Sequence, residues 1–189
     1  MLGTRKPKNS AVFISGGGST LQALLEHQMS SSIRLVVSNR KKAAGLLKAK
    51  RFGCQTFYFG KEQSYSDLSQ KLTSMKIEAI FLAGFMKILP EDFVADWEGK
   101  IFNIHPSLLP EFPGLNSFER SFQSGSRVGA TIHAVNHKMD EGQIFLQKEV
   151  PLLKIVQNKK RDHSVQMAEI ALRQTEQHLL REFSIRKWI

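Results

Sequence analysis

The chain has 189 residues, 41% of them apolar, and a formal charge of +10 at neutral pH. This length suits one well-buried α/β domain and leaves little room for two. No run of about 18 apolar residues offers a membrane span, and the basic start MLGTRKPKNS lacks the apolar core of a secretory signal, so a cytoplasmic protein is expected.

Residues 1–10 read as a flexible basic N-terminus, and 11–15 (AVFIS) as a buried strand. The glycine turn Gly16-Gly17-Gly18-Ser19 follows, then a helix from residue 20 to about 28. Strands at 34–38 and 56–59 flank a helix at 41–52 that Gly53 stops. A helix over 65–75 carries Leu68 and Leu72 on one face, a fourth strand covers 79–83 (AIFLA), and a helix at 90–97 precedes a fifth strand at 101–104. This alternation predicts a single-domain, mostly parallel open sheet with helices on both faces. Beyond Asn116 the order changes: a helix to about residue 124, two β-patterned runs at 128–135 and 143–151, and a terminal helix over 164–183. Residues 157–161 read as a mobile loop.

The basic residues fall in short clusters (40–42, 48–51, 159–161 and 186–187) that are not interleaved with aromatics as a base-stacking surface requires. They read as a solvated surface that steers small anions, with no nucleic-acid partner. The single cysteine, Cys54, excludes an internal disulfide and a Cys-based zinc site, and reads as a packing residue.

Asn103 and His105 stand two apart where an apolar strand runs into a loop stiffened by Pro106, Pro110 and Pro113. On a strand, residues i and i+2 share a face, so a carboxamide and an imidazole converge there. A partner carboxylate comes from the polar, glycine-limited turn 137–142, where Asp140 and Glu141 compete. Either one is expected to raise the imidazole pKa and keep it a charged donor. His133 and His137 are four apart, about 13 Å on a strand and too far to share an ion, so zinc is rejected and His133 is read as packing or hydrogen-bonding beside the site.

The glycine turn opens a helix and forms an anion nest. It is not a dinucleotide fingerprint, because Leu21 stands at the third glycine position, and no Gly-Lys-Ser/Thr follows to make a Walker loop. A single phosphate read by Gly18, Ser19 and Thr20 is the functional reading; a tight packing turn is the other. Residues 85–90 (FMKILP) are apolar for a loop at the carboxyl end of a sheet, as a site for a flat heterocycle would be, although loop packing gives the same pattern.

Residues 103–110, Asn-Ile-His-Pro-Ser-Leu-Leu-Pro, resemble the active-site signature of the 10-formyltetrahydrofolate-dependent formyltransferases and, within them, the phosphoribosylglycinamide formyltransferases of purine biosynthesis. Residues 14–22 (ISGGGSTLQ), 82–90 (LAGFMKILP) and 129–147 (GATIHAVNHKMDEGQIFLQ) agree in order and spacing. The resemblance implies a formyltransferase-like Rossmann-type fold and transfer of a formyl group from 10-formyltetrahydrofolate, as co-substrate, to the amine of glycinamide ribonucleotide. It implies no metal, small-molecule partners only, and a monomer or homodimer. It assigns Asn103, His105 and Asp140 to catalysis, and Gly18, Ser19 and Thr20 to the substrate phosphate. Met86, Lys87, Ile88 and Leu89, with Asn136, His137, Lys138, Met139 and Asp140, are assigned to the folate. Gln166 and Glu169, three apart on one helical face, are assigned to the ribose hydroxyls. The chain departs from the usual pattern at Gly17 and Thr20 (asparagine), Lys87 (arginine) and Ile170 (histidine). Alternatives are a formyltetrahydrofolate deformylase, a formyltransferase acting on another amine such as an amino sugar, and a non-catalytic ligand-binding homologue.

Overall fold

The computed structural model describes residues 7–26, 30–150 and 161–185. Seven strands run in chain order: β1 (Ser10–Ile14), β2 (Ile33–Ser38), β3 (Gln55–Tyr58), β4 (Ala79–Leu82), β5 (Ile101–His105), β6 (Gly129–Ala134) and β7 (Ile144–Glu149). They form one sheet in the order β3-β2-β1-β4-β5-β6-β7. The strands from β3 to β5 pair in parallel, and β6 and β7 are added antiparallel.

Among the described residues the α-helices are α1 (Ser19–Leu25), α2 (Ala44–Arg51), α3 (Tyr65–Ser74), α4 (Glu91–Asp96) and α5 (Ser117–Gln123) between strands, and α6 (Arg161–Ile185) after β7. The central strands are buried on both faces, which is why β1 reads as an unbroken apolar run. On one face Val12, Ile14, Phe81 and Phe102 meet α1, α2, α5 and α6; on the other Phe13, Leu35, Val37 and Ile80 meet α3 and α4. Both faces are therefore covered, as the alternating sequence pattern demands. The α6 stripe Ala168, Leu172, Thr175, Leu179 and Phe183 is buried at helical spacing.

Several boundaries differ from expectation for local reasons. Lys8 N–H donates to Glu78, the Asn9 side chain donates to the Lys76 carbonyl, and Ser10 opens β1, so the flexible reading does not extend to residues 8–10. Helix α2 begins at Ala44 rather than residue 41, because Ala43 is extended and the Gly45 N–H turns to the Gly16 carbonyl, 3.1 Å away. Helix α3 starts where expected, with a capping box between Ser64 and Asp67 that explains its sharp entry. Of the expected loop at 157–161, residues 157–160 lie outside the described residues and Arg161 opens α6; the residues before Pro7 also lie outside them.

The turn carrying Asp140 is pressed onto the end of β6. A Cβ on Gly142 would stand 1.7 Å from the Ala134 carbonyl oxygen, so only glycine fits. Gly142→Ala should therefore destabilise the fold by about 1–3 kcal/mol, measured by urea unfolding. A variant as stable as the parent would show that this close approach is not a constraint.

Candidate active site

The site forms where β5 ends against β6. In that antiparallel pair Asn103 lies opposite His133 and His105 opposite Thr131, so two strands present four polar side chains on one face. Asn103 Nδ2 lies 3.2 Å from His133 Nε2, and His133 Nδ1 lies 2.8 Å from the Ala134 carbonyl. A carbonyl only accepts, so Nδ1 carries the proton and Nε2 accepts from the Asn103 amide. His133 thereby fixes which end of the carboxamide faces it.

The loop after β5 is tied down at both ends. Thr131 Oγ1 donates to the Ser107 carbonyl (2.7 Å) and accepts from the Leu109 N–H (3.1 Å), while the Gln147 amide donates to the Leu109 carbonyl (2.6 Å). Further on, Phe112 is held at φ 54, a left-handed conformation unfavourable for a bulky residue. Its carbonyl accepts from His105 Nε2 at 3.1 Å. Asp140, also left-handed at φ 57, accepts from the Gly114 N–H at 2.8 Å.

Asp140 sits between the two imidazoles. Its Oδ2 is 3.4 Å from His105 Nδ1 and its Oδ1 is 3.5 Å from His133 Nε2. Burial alone would raise this carboxyl, but the His133 contact, the Gly114 amide and the fields of both rings outweigh it and hold it below the ordinary value. His105 moves the other way from expectation. Burial lowers its pKa, and neither the Phe112 carbonyl nor the Asp140 charge recovers the loss, with His133 and Arg120 adding to the fall. The expected charged donor at neutral pH is thus corrected: Asp140 carries the charge and His105 is predominantly neutral. The reason is that desolvation of an almost fully buried ring exceeds the attraction of one nearby carboxylate.

Beyond the carboxyl end of β1, Gly18 adopts φ 66 and caps α1 without a side-chain hydrogen bond. Its Cα packs against Gly45 of α2, where a Cβ on Gly18 would stand only 2.9 Å from the Gly45 Cα. Gly16, Gly17 and Ser19 are exposed, while Thr20 is buried and hydrogen-bonds the Glu176 carboxyl on α6. Burial pushes Glu176 up to about 7, with Arg173 and Thr20 opposing it. The expected ribose residues lie elsewhere on α6. Gln166 is exposed, and Glu169 pairs with Arg173 at 3.8 Å on the helix surface.

Met86 and Ile88 project outward after β4, at 66% and 77% exposure, and Leu115 and Met139 are exposed across from them in sequence, with Met139 Sδ close to Gly114. Leu89 turns inward to the core. Lys87 Nζ lies over the rings of Phe59 and Tyr65, at 5.2 and 5.1 Å. Asn136 is half-buried with its side-chain oxygen accepting from the Lys138 N–H, whereas His137 and Lys138 are exposed. Among the described residues no group of three or more His, Cys, Asp or Glu side chains is placed to hold a metal. Cys54 is buried, and burial raises its thiol pKa.

The family model described as Formyl transferase matches residues 8–176. A phosphoribosylglycinamide formyltransferase of Haemophilus influenzae is 38% identical over 156 residues, covering 77% of this chain and 74% of that protein. The chain belongs to the phosphoribosylglycinamide formyltransferase family. The crystal structure of a phosphoribosylglycinamide formyltransferase from Anaplasma phagocytophilum matches with a TM-score of 0.82 at 36% identity, covering 93% of this chain and 83% of that one. The human trifunctional purine biosynthetic protein adenosine-3 is 43% identical over 159 residues, 78% of this chain, which spans only 16% of that protein's length.

Two features of the site have no signature in the sequence, and a third, His133, is expected only to pack or hydrogen-bond beside the site. Its bond to Asn103 follows from β5–β6 register, which one sequence does not fix. The Phe112 carbonyl acts through its backbone, and no side-chain pattern announces it. Glu176 lies seven residues beyond Glu169 and so on nearly the same helical face, about 10 Å further along the axis; the signal was a carboxylate bordering the buried stripe of Thr175 and Leu179.

The raised Glu176 pKa has a definite sign. The folded chain holds a proton that the unfolded chain releases near 4.5, so this group's stabilisation is complete below that pH and lost as pH rises through about 7. Glu176→Gln, which stays uncharged, should match the parent in thermal unfolding near pH ~4 and exceed it near pH ~8. Equal melting temperatures at both pH values would show that the carboxyl is solvated.

Proposed function

We propose that this chain transfers the formyl group of 10-formyltetrahydrofolate to the amine of glycinamide ribonucleotide. The observation carrying this reading is the convergence of Asn103, His105 and Asp140 at the end of β5. The amine nitrogen attacks the formyl carbon, forming the new N–C bond while the carbonyl π electrons move to oxygen. A carboxamide nitrogen carries two N–H bonds; one on Asn103 goes to His133, and the other serves the developing oxyanion. Asp140, charged at neutral pH, takes the proton that the attacking amine must lose. The tetrahedral intermediate then collapses, the carbon–nitrogen bond to the folate breaks, and that nitrogen regains a proton from Asp140, directly or through water.

His105 acts in two protonation states. Its ring nitrogens both face protein acceptors, Phe112 on one side and Asp140 on the other, and only the doubly protonated ring satisfies both. Negative charge building on the formyl oxygen adds the attraction that desolvation removed, so the proton that Asp140 takes from the amine is drawn on to Nδ1, 3.4 Å from Oδ2, and returns through Asp140 to the folate nitrogen as the intermediate collapses. Loss of one such donor commonly costs about 3 kcal/mol, or about two orders of magnitude in rate.

The exposed apolar side chains of Met86, Ile88, Leu115 and Met139 suit the flat pteridine of the folate, with Lys87 and residues 136–140 at its rim. Gly18 and Ser19 offer backbone N–H groups to the ribonucleotide phosphate. The ribose hydroxyls are assigned to Gln166 and Glu169 on α6, three apart on one helical face.

Folate product formation, followed by absorbance, should require the ribonucleotide amine; equal turnover with water alone would identify a deformylase. Asn103→Ala and Asp140→Asn should each lower kcat by about 10²-fold or more. Asp140→Asn should also push the His105 midpoint lower still, read by NMR titration, because it removes a charge that favours the imidazolium. Glu141→Gln is the control: damage equal to that at 140 would mean the wrong carboxylate has been chosen.

For the ribose, Glu169→Ala should raise the ribonucleotide KM by about tenfold while Glu176→Ala leaves it nearly unchanged. The reverse ranking would move the ribose role to Glu176.

A further inference from the structure

Ser15 is the last residue before the glycine turn, and it is 2% exposed. Its side chain and backbone both cross to the loop after β4. The Ser15 N–H donates to the Gly84 carbonyl at 3.0 Å, and the Met86 N–H donates to Ser15 Oγ at 2.8 Å. The hydroxyl proton goes to Asn39 Oδ1 at the end of β2, 2.7 Å away. The hydroxyl therefore uses both its donor and its acceptor capacity, and Asn39 determines which way the acceptor lone pair points.

We propose that Ser15, oriented by Asn39, is a positioning residue that sets the spacing between the ribonucleotide turn at 16–20 and the folate loop at 83–90. The inference rests on the functional reading above and adds a part that touches neither substrate. The turn is already fixed against α2 through the bond from Gly45 N–H to the Gly16 carbonyl. In the folate loop Phe85 packs on Phe13 and Leu89 is buried, but Met86 between them has its side chain 66% exposed. Its backbone is anchored to the sheet by the Phe13 carbonyl, which accepts from the Ala83 N–H, and by Ser15. Each substrate would keep its own contacts if the Ser15 hydroxyl were lost, because neither is held by it. What changes is the distance between the amine and the formyl carbon, and a misplacement of about 1 Å costs about 10²-fold in rate. The signature is thus a loss in kcat with the two KM values largely retained.

The test compares the full chain with Ser15→Ala, Asn39→Ala and the double variant, measuring kcat, both KM values and the melting temperature of each. Ser15→Ala should lower kcat by about tenfold or more, with each KM within about threefold of the parent. Asn39→Ala should act in the same direction more weakly, and the double variant should be no worse than Ser15→Ala, because the two side chains act through one bond. A lowered melting temperature with unchanged kcat would make Ser15 merely structural and overturn the proposal. So would a loss confined to one KM, or penalties that multiply in the double variant. If Ser15→Ala does not fold, Asn39→Ala, at a half-buried position, carries the test alone, and an unchanged kcat there overturns the proposal. Failure of the underlying reading shows separately, as absence of amine-dependent turnover in the parent chain.

Discussion

The antiparallel pairing of β6 onto β5 is the constraint on which the site depends. A parallel sheet ends in a crevice, but the crevice acquires chemistry only when side chains from neighbouring strands stand on the same face at the same level. Register supplies this: Asn103 faces His133, and His105 faces Thr131, which in turn ties down the loop carrying Phe112. Slipping the pair by one residue would turn the polar set of one strand away from the other and leave buried donors without partners. The short, buried end of β5 and the irregularity in β6 between Ile132 and His133 are thus parts of the active site rather than its scaffold.

Two buried carboxyls in this chain show how surroundings decide charge. Asp140 is flanked by two imidazoles and receives a backbone N–H, and its pKa falls despite burial. Glu176 has one hydroxyl and one partly solvated arginine, which do not offset burial, and its pKa rises to about 7. The same desolvation that raises Glu176 lowers His105, so the site holds one negative charge and a ring reluctant to take a proton. On the proposed reaction, such a ring gains a proton as negative charge builds on the formyl oxygen, which favours the transition state over the bound substrates, whereas a permanently charged histidine would attract ground-state oxygens as well.

Much of the fold was legible because it rests on periodicity and punctuation. Every expected strand and helix among the described residues is present, with no boundary moved by more than three residues, and the shift at the start of α2 came from a backbone bond to Gly16 that no propensity encodes. Asn103 and His105 were legible through their spacing, and Asp140 through the polar turn with Gly142 behind it. What stayed hidden depends on neighbours distant in sequence. His133 is an ordinary strand residue until β5 lies beside it, and the sign of the His105 shift depends on burial, which a sequence does not weigh against a carboxylate. Gln166 and Glu169 drew a ribose role from the family resemblance, which says nothing of the ion pair that Glu169 makes with Arg173 on its own helix. Glu176 touches the glycine turn because α6 packs against α1 on one face of the sheet.

Thr20 illustrates how a departure from the family pattern alters a site without removing it. The side chain is 8% exposed and its hydroxyl is engaged by Glu176, so it faces the helix layer rather than the mouth of the crevice. Ser19, one residue earlier, is exposed and opens α1. Of the two hydroxyls at the turn, only that of Ser19 is therefore on the solvent side, and an anion there would be held chiefly by backbone N–H groups together with one side chain. Backbone groups do not depend on residue identity, which is why a glycine at 17 and a threonine at 20 leave the nest intact. The threonine instead binds the turn to α6.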